Sequence, residues 1–418
     1  MARVILVTAG SHGDINPFIA LARALLRRGH EATLLVNPYF RAQVEEAGVA
    51  YAPLGAEAFD LKTVDRSFPD IMHRRRGGAI VIEQMILPTA RDAYRALHEL
   101  ARAGRPDVIV HHHICFSAPW VCRELGLRRA TVVLAPSMWL NAEDVISPTA
   151  WTPLNPPRWL MRAMRAIGGP LINTMFDRRV NRIRRELGLA PERGVFFDAT
   201  HGGDANLGLW SPALRGPLPG DPPHATVCGF PWHDRNGEQE STPVEIDRFL
   251  DAGDPPILFT LGTAAVHVAG DFYRHAARAC DELGRRGLLL IGPGRDPPPK
   301  LSDRVRAFAY APFSRVMPRA ALNVHHGGIG STAQALRAAR PMLVIPHAHD
   351  QFDNAARVRR AGVGLSLPRH RLTTPRLAAA LDALLRTPSF HACARRLGTV
   401  IQAEDGAARA ADIIGSLT

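Results

Sequence analysis

One stretch of the chain, His325 to Asn354 (HHGGIGSTAQALRAARPMLVIPHAHDQFDN), concentrates residues that could do chemistry. The apolar run "ALNVHH" reads as a strand, "GGIGST" as a loop and Ser331–Ala339 as the helix that follows. A helix N-terminus offers unpaired N–H groups and a partial positive charge. Glycines such as Gly328 and Gly330 let a backbone approach a phosphate closely. Ser331 and Thr332 add hydroxyl donors, and His326 adds an imidazole N–H. This order of parts suits a diphosphate held without a metal.

Three readings of the loop compete. A P-loop requires Gly-Lys-Ser/Thr, and no lysine is present here. The dinucleotide fingerprint nearly fits, because Gly328-Ile-Gly330-Ser-Thr-Ala333 is GxGxxA with Asp350 about 20 residues on. That acid should end the next strand, yet Asp350 lies beyond Pro346 and His347, and the motif falls late in its domain. The third reading is a nucleotide-sugar site. A second glycine loop, "TAGSHGDINP" (Thr8–Pro17), follows the first strand and precedes the first helix. Gly10 and Gly13 suit a tight turn, and Asp14 alone would be explained as the N-cap of a helix starting near Pro17.

The elements that carry these loops repeat a pattern. In the first half, strands "RVILVTA", "EATLLVN", "DVIVHHH" and "RATVVLAP" alternate with the helical stretches Phe18–Arg28, Arg41–Ala47 and "APWVCRELGL". In the second half, "PILFTLGT", "GLLLIGPG", "VRAFAYAP", "AALNVHH" and "PMLVIPH" alternate with helices at Gly270–Leu283, Ser331–Ala339 and Gln351–Ala361. Runs that are apolar on both faces, in β-α-β order, imply parallel sheets covered by helices. Pro and Gly accumulate in Ser211–Asp234, read as a linker running into the first strand of the second half. The expectation is two doubly wound α/β domains facing a cleft. They comprise residues 1–215 and 241–398, with a linker at 216–240 and a C-terminal helix in 399–418 that packs back on the first.

A chain of 418 residues with 46% hydrophobic and 22% charged residues is globular and too long for one core. The net charge of +12 rests almost wholly on arginine, Lys62 and Lys300 being the sole lysines. A solvated basic surface is the plain reading, and attraction to anionic substrates or a membrane face the sharper one. The five scattered cysteines form no CxxC pair, so neither a disulfide framework nor a zinc site is expected. Without a signal-peptide pattern or a long apolar run, a cytoplasmic protein is expected.

The His326 segment resembles the donor-binding signature of the family 1 glycosyltransferases, which have the two-domain GT-B fold. The residues carrying the resemblance are His326, Gly328, Ser331, Thr332, Pro346, Asp350, Gln351 and Asn354. The resemblance implies that His326 and the N–H groups of Gly328–Thr332 hold the diphosphate, Gly330 among them. Asp350 and Gln351 would bond sugar hydroxyls. Tyr310 would stack on the base where a tryptophan is usual, Ala311 would meet the base through its backbone, and Gly262 and Thr263 would lie near the phosphates. Gln334 replaces a glutamate that bonds the ribose, and Phe313 a glutamine, so the nucleoside is not fixed as uridine over thymidine. The family's catalytic base falls on Asp14, with His12 as the alternative, and Gly13 beside them at the acceptor pocket. The implied activity is inverting, metal-independent transfer of a hexosyl or deoxyhexosyl group to a hydroxyl. The donor is a UDP- or dTDP-sugar and serves as co-substrate, with no further cofactor and no nucleic acid. "DFYRHAARA", "YAP" and "AHDQFDNAARV" are closest in flavour to bacterial rhamnosyl-, lipid and sterol glycosyltransferases. A lipid-like acceptor is therefore ranked first and a natural product second. A non-catalytic nucleotide-sugar or lipid-binding subunit and an NAD(P)-dependent oxidoreductase are the alternatives.

Two further features complete the expectations. His111–His113 end a strand facing the expected cleft, so His111 and His113 are candidates for the acceptor pocket. They are poor metal ligands, because adjacent strand residues face opposite sides. Pro156–Leu187 mixes Trp, Met, Leu and Ile with many arginines. It reads either as helices over the acceptor site or as amphipathic helices on a membrane surface. Phe59–Met85 is read as a loop plus a helix at the acceptor mouth.

Overall fold

The computed structural model describes residues 1–55, 67–144, 157–233 and 242–418. Parts of the expected Phe59–Met85 loop, of the linker and of the Pro156–Leu187 stretch lie outside these residues. Two parallel sheets organise the chain. The first is built from β1 (Arg3–Val7), β2 (Glu31–Val36), β3 (Ala50–Pro53), β4 (Val108–His112), β5 (Arg128–Val133), β6 (Ala205–Gly208) and β7 (Ala225–Val227). Their order across the sheet is 3-2-1-4-5-6-7. The second comprises β8 (Ile257–Thr260), β9 (Gly287–Leu290), β10 (Val305–Phe308), β11 (Leu322–His325), β12 (Met342–Val344) and β13 (Gly364–Ser366), in the order 10-9-8-11-12-13. Both are doubly wound, and in each the order reverses beside the first strand. That switch point, between β1 and β4 and between β8 and β11, is where such sheets open a ligand crevice.

The central strands are buried on both faces, which is why the sequence shows continuous apolar runs rather than alternation. Helix α1 (His12–Arg27) covers β1 with Ile15, Phe18, Ile19 and Leu21. Further helices are α2 (Leu87–Gly104), α3 (Ser117–Leu125) and α4 (Gly169–Glu186) in the first domain. In the second are α5 (Phe272–Glu282), α6 (Ile329–Arg337), α7 (Gln351–Arg360), α8 (Thr374–Arg386) and α9 (Pro388–Gln402).

Two expectations change. The stretch Ser211–Asp234 carries β7, which pairs in parallel with β6 and so closes the first sheet rather than opening the second. Helix α1 begins at His12, not near Pro17, because Ser11 is the N-cap and Pro17 is accommodated inside the helix. The expected C-terminal helix within 399–418 follows α9, which runs unbroken to Gln402. Only α10 (Gly406–Gly415) crosses over. Its Ala407, Ala410, Ala411 and Ile414 enter the core under α1, and Asp412 pairs with Arg28 at 2.5 Å.

Among the described residues several contacts tie the domains. Gly229 and Gly406 cross so closely that a Cβ on Gly406 would lie 2.1 Å from the Gly229 carbonyl oxygen. A buried ion cluster spans the domains: Asp144 accepts from Arg215 (3.2 Å) and from Arg357 (2.8 Å), whose Nε also donates to Asp353 (2.7 Å). Beyond the first-domain loops, Phe68 stacks on His267 with ring centres 3.9 Å apart, and Met72 enters the second domain's core.

Candidate functional site

The loop after β11 is shaped by its side chains. His325 Nδ1 accepts from the Gly327 N–H (3.1 Å). Gly327 has φ +92°, and a Cβ there would lie 2.5 Å from Val344. Gly328 then opens α6 with no side-chain cap, so the first N–H groups of this helix are left for a ligand. His326 is wedged between two glycines. A Cβ on Gly262 would lie 2.5 Å from its Cε1, and one on Gly328 2.5 Å from its Nε2. Gly262, in the loop after β8, is also left-handed at φ +65°. The end of β8 thus places Gly262 against His326 beside the α6 terminus, with exposed Thr263 next in the chain.

The imidazole of His326 is held well below its usual pKa, first by burial and then by His325, His347 and His349. Without an anion it is neutral, and its buried Nδ1 has no hydrogen-bond partner. A diphosphate would supply the missing negative charge. Ser331 is buried in the first turn of α6. Thr332 is fully buried, and its hydroxyl donates to the Gly328 carbonyl at 3.0 Å. Its proton is therefore committed to the loop rather than offered to phosphate, contrary to expectation.

The Asp350 loop leans on the same turn. His349 adopts φ +55°, an uncommon conformation for a non-glycine residue, and it hydrogen-bonds the backbone of Ile71 from the first domain. Asn354 donates to Asp350 Oδ2 (2.7 Å) and to the Gly327 carbonyl (2.9 Å), tying the two loops together. The sequence reading gave Asn354 no role, although its spacing of four from Asp350 on a helix was the available signal. Gln351 differs from expectation. Its carbonyl accepts from the N–H groups of His347 (2.8 Å) and Ala348 (3.1 Å), leaving only the amide NH2 outside these bonds.

In the first domain, Asp14 is the third residue of α1 and not its N-cap. It completes a capping box: Ser11 N–H and Oγ donate to Asp14 Oδ2 at 2.8 and 3.1 Å. Gly10, at φ +124°, makes room, since a Cβ there would lie 2.3 Å from Asp14 Oδ2. Burial raises the Asp14 carboxyl to about 6 against the lowering effect of the Ser11 bonds. Burial likewise raises Asp350 to about 7, with Asn354 opposing it and the charges of Asp353 and Asp14 adding to it. Asp14, from the opposite domain, is among the smaller influences on Asp350. His12 is engaged elsewhere: its Nδ1 meets Gln43 Oε1 (3.1 Å) and its ring packs edge-on against Phe40. Gly13 is exposed beside it.

The histidine triplet divides. His111 does not line a pocket. It is wholly buried, with Nδ1 against the His112 carbonyl (3.1 Å) and Nε2 against Thr131 Oγ1 (3.2 Å). His112 faces the α1 side, against Phe18. Only His113 lies past the strand end, half-buried, with its ring 4.5 Å from that of His112. Among the described residues no cluster of three His, Cys, Asp or Glu could hold a metal ion. On the nucleoside side, Tyr310 is half-buried after β10, Ala311 is fully buried, and Gln334 is half-buried on α6.

Comparison with known proteins follows this division. Residues 4–133 match the glycosyltransferase family 28 N-terminal domain, and residues 295–414 the erythromycin biosynthesis protein CIII-like C-terminal domain. The O-mycaminosyltylonolide 6-deoxyallosyltransferase of Streptomyces fradiae is 33% identical over 99% of this chain and 96% of its own. A sterol 3-beta-glucosyltransferase of Arabidopsis thaliana is 25% identical over 98% of this chain and 67% of its own. Among solved structures, the glycosyltransferase of kitacinnamycin superposes with a TM-score of 0.77 at 21% identity, covering 100% of this chain and 99% of that one. The glycosyltransferase VinC, solved in complex with dTDP, superposes with a TM-score of 0.66 at 20% identity, covering 99% and 98%. The GT-B architecture follows from these superpositions.

Proposed function

The chain belongs to the family 1 glycosyltransferases of GT-B fold, and from that premise we propose that it moves a deoxyhexosyl or hexosyl group from a dTDP- or UDP-sugar to a hydroxyl of a natural-product acceptor, with inversion. The relative from Streptomyces fradiae, whose name describes deoxyallosyl transfer to a tylonolide, favours a natural-product acceptor over a sterol-like or other lipid one. This reverses the order expected from sequence. The dTDP seen with VinC and the departures at Tyr310, Phe313 and Gln334 favour thymidine in the donor.

One observation carries the reading: the uncapped N-terminus of α6 lies beside His326, which is wedged between Gly262 and Gly328, while Asp14 and Asp350 come from opposite domains. In the proposed geometry the sugar lies between them. Its diphosphate rests on the α6 N-terminus, with the neutral His326 donating one N–H and Ser331 adding its hydroxyl. Asp350, steadied by Asn354, bonds the sugar hydroxyls, and Gln351 contributes only through its amide NH2. Asp14, once ionised, removes the acceptor proton as general base. The new C–O bond forms on the face of the anomeric carbon opposite the breaking bond to diphosphate, through an oxocarbenium-like transition state. Negative charge gathers on the leaving group, where fixed N–H dipoles stabilise it without reorganisation. His12 serves as a packing residue in this scheme. Closure of the Phe68–Met72 segment over the second domain would keep water from the donor.

Asp14→Asn tests the assignment. Transfer should fall by about 10²–10⁴-fold, the contribution of a positioned base, while dTDP affinity stays unchanged. In the wild type the rate should rise with pH through about 6, as Asp14 ionises, and then level off. Transfer by Asp14→Asn at the wild-type rate, or a rate independent of pH between 5 and 8, would remove Asp14 from the role.

A further inference from the structure

Helix α4 presents an outward face that nothing among the described residues covers. Its inner face (Asn173, Phe176, Val180, Ile183 and Arg184) packs within the first domain. There Phe176 stacks on Phe196 and Asn173 donates to Asp198. On the outer face Leu171 and Met175, and Ile167 just before the helix, recur at every fourth residue and are 60%, 55% and 72% exposed. Trp159, in the short helix Arg158–Ala163 that precedes them, is 69% exposed. The same face continues, at helical spacing, into exposed Arg178 and Arg182, with Arg185 one turn further. Among the described residues Arg178 and Arg182 make no ion pair, whereas Arg179 beside them is paired with Glu83. An apolar row of this size on a soluble surface marks an interaction site, since isolated exposed residues do not line up on one helix face.

We infer that this face docks on an anionic lipid bilayer. Large apolar side chains backed by arginines on one helix are the arrangement that seats a protein in the interfacial zone of acidic membranes. Charge decides between occupants. Among the described residues the acid at this spacing, Glu186, is paired with Arg91, so Arg178 and Arg182 set the charge of the face; the whole chain has a net charge of +12, and a second copy of the same face would be repelled. An anionic headgroup layer is complementary to it. Docking by α4 leaves the donor loops on the second domain free. The inference concerns a different surface from the proposed transfer site and stands or falls separately from it.

The test is flotation of the full chain with vesicles of phosphatidylcholine alone and with about one-third phosphatidylglycerol. Binding is expected to the anionic vesicles only and to weaken in 0.5 M salt, a ~4 Å screening regime. Each arginine near an anionic surface contributes a factor of about five. Arg178→Glu with Arg182→Glu should therefore reduce partitioning by at least about 25-fold. Leu171→Ser with Met175→Ser should abolish it, and both variants should keep the wild-type melting shift with dTDP as proof of folding. Equal binding to neutral vesicles, no binding to either, or binding unchanged in both variants would overturn the inference. So would a concentration-dependent dimer that Leu171→Ser with Met175→Ser dissociates, which would assign the face to a second copy.

Discussion

Gly262→Ala is the substitution whose outcome follows most directly from geometry. The new Cβ would lie 2.5 Å from His326 Cε1, where ordinary contact begins near 3.4 Å, so the ring must move by close to an ångström. Gly262 also has φ +65°, a conformation that costs an alanine about 1–2 kcal/mol. The neighbouring Gly270 supplies the control. Its φ is +53°, but a Cβ there would meet only Arg369, at 3.7 Å. Both variants should lose about 1–2 kcal/mol of stability from backbone strain. Only Gly262→Ala should also misplace His326. A hydrogen bond to a charged group is worth about 1.5–3 kcal/mol, so dTDP affinity should fall about 10- to 100-fold. Calorimetric titration with dTDP, beside urea denaturation of both variants, separates the two effects. Wild-type affinity in Gly262→Ala, or an equal loss in Gly270→Ala, would refute the wedge as the device that sets His326.

Two further outcomes follow from buried charge. Asp14 and Asp350 hold protons more tightly when folded than their usual value of 3.8, at about 6 and about 7. The native state therefore binds more protons than the unfolded chain between about pH 4 and 7, and the stability these groups contribute falls as pH rises through that window. Asp350→Asn should flatten this decline in urea midpoints measured from pH 5 to 8, and a steeper decline would contradict the assignment. In the interdomain cluster, Asp144→Asn leaves each arginine one carboxylate and should cost about 2–3 kcal/mol. Arg357→Met strands the fully buried Asp353, while Asp144 keeps Arg215, and should cost more, about 3–5 kcal/mol; the reverse order by urea denaturation would contradict the described network.

The parts of this molecule that were legible in the sequence are those written in local pattern. Strands buried on both faces give apolar runs, and the loop at Gly328 shows its glycines directly. What stayed hidden depends on contacts between distant residues. Asp14 looked like an N-cap because Pro17 resembles a helix start, whereas Ser11 caps the helix and Pro17 is carried inside it. The strand Ala225–Val227 was concealed by flanking prolines and glycine, and only pairing with Asn206–Gly208 gives it away. His111 had the right position along its strand. Its face was decided by Thr131 on the neighbouring strand, which closes over its ring. Thr332 and Gln351 have the right chemistry for a ligand, but their own loops have already engaged them. Asp14 and Asp350 are 336 residues apart in sequence and stand on different domains, so no local pattern links them.

The measurement that bears most directly on the central claim is the melting temperature of the wild-type chain with dTDP, UDP and NADH in turn. A ligand at about 100 times its Kd should stabilise the protein by about 2.7 kcal/mol. The account predicts a clear rise with dTDP, with UDP equal or weaker, and none with NADH. A rise with NADH and none with either nucleoside diphosphate would contradict it.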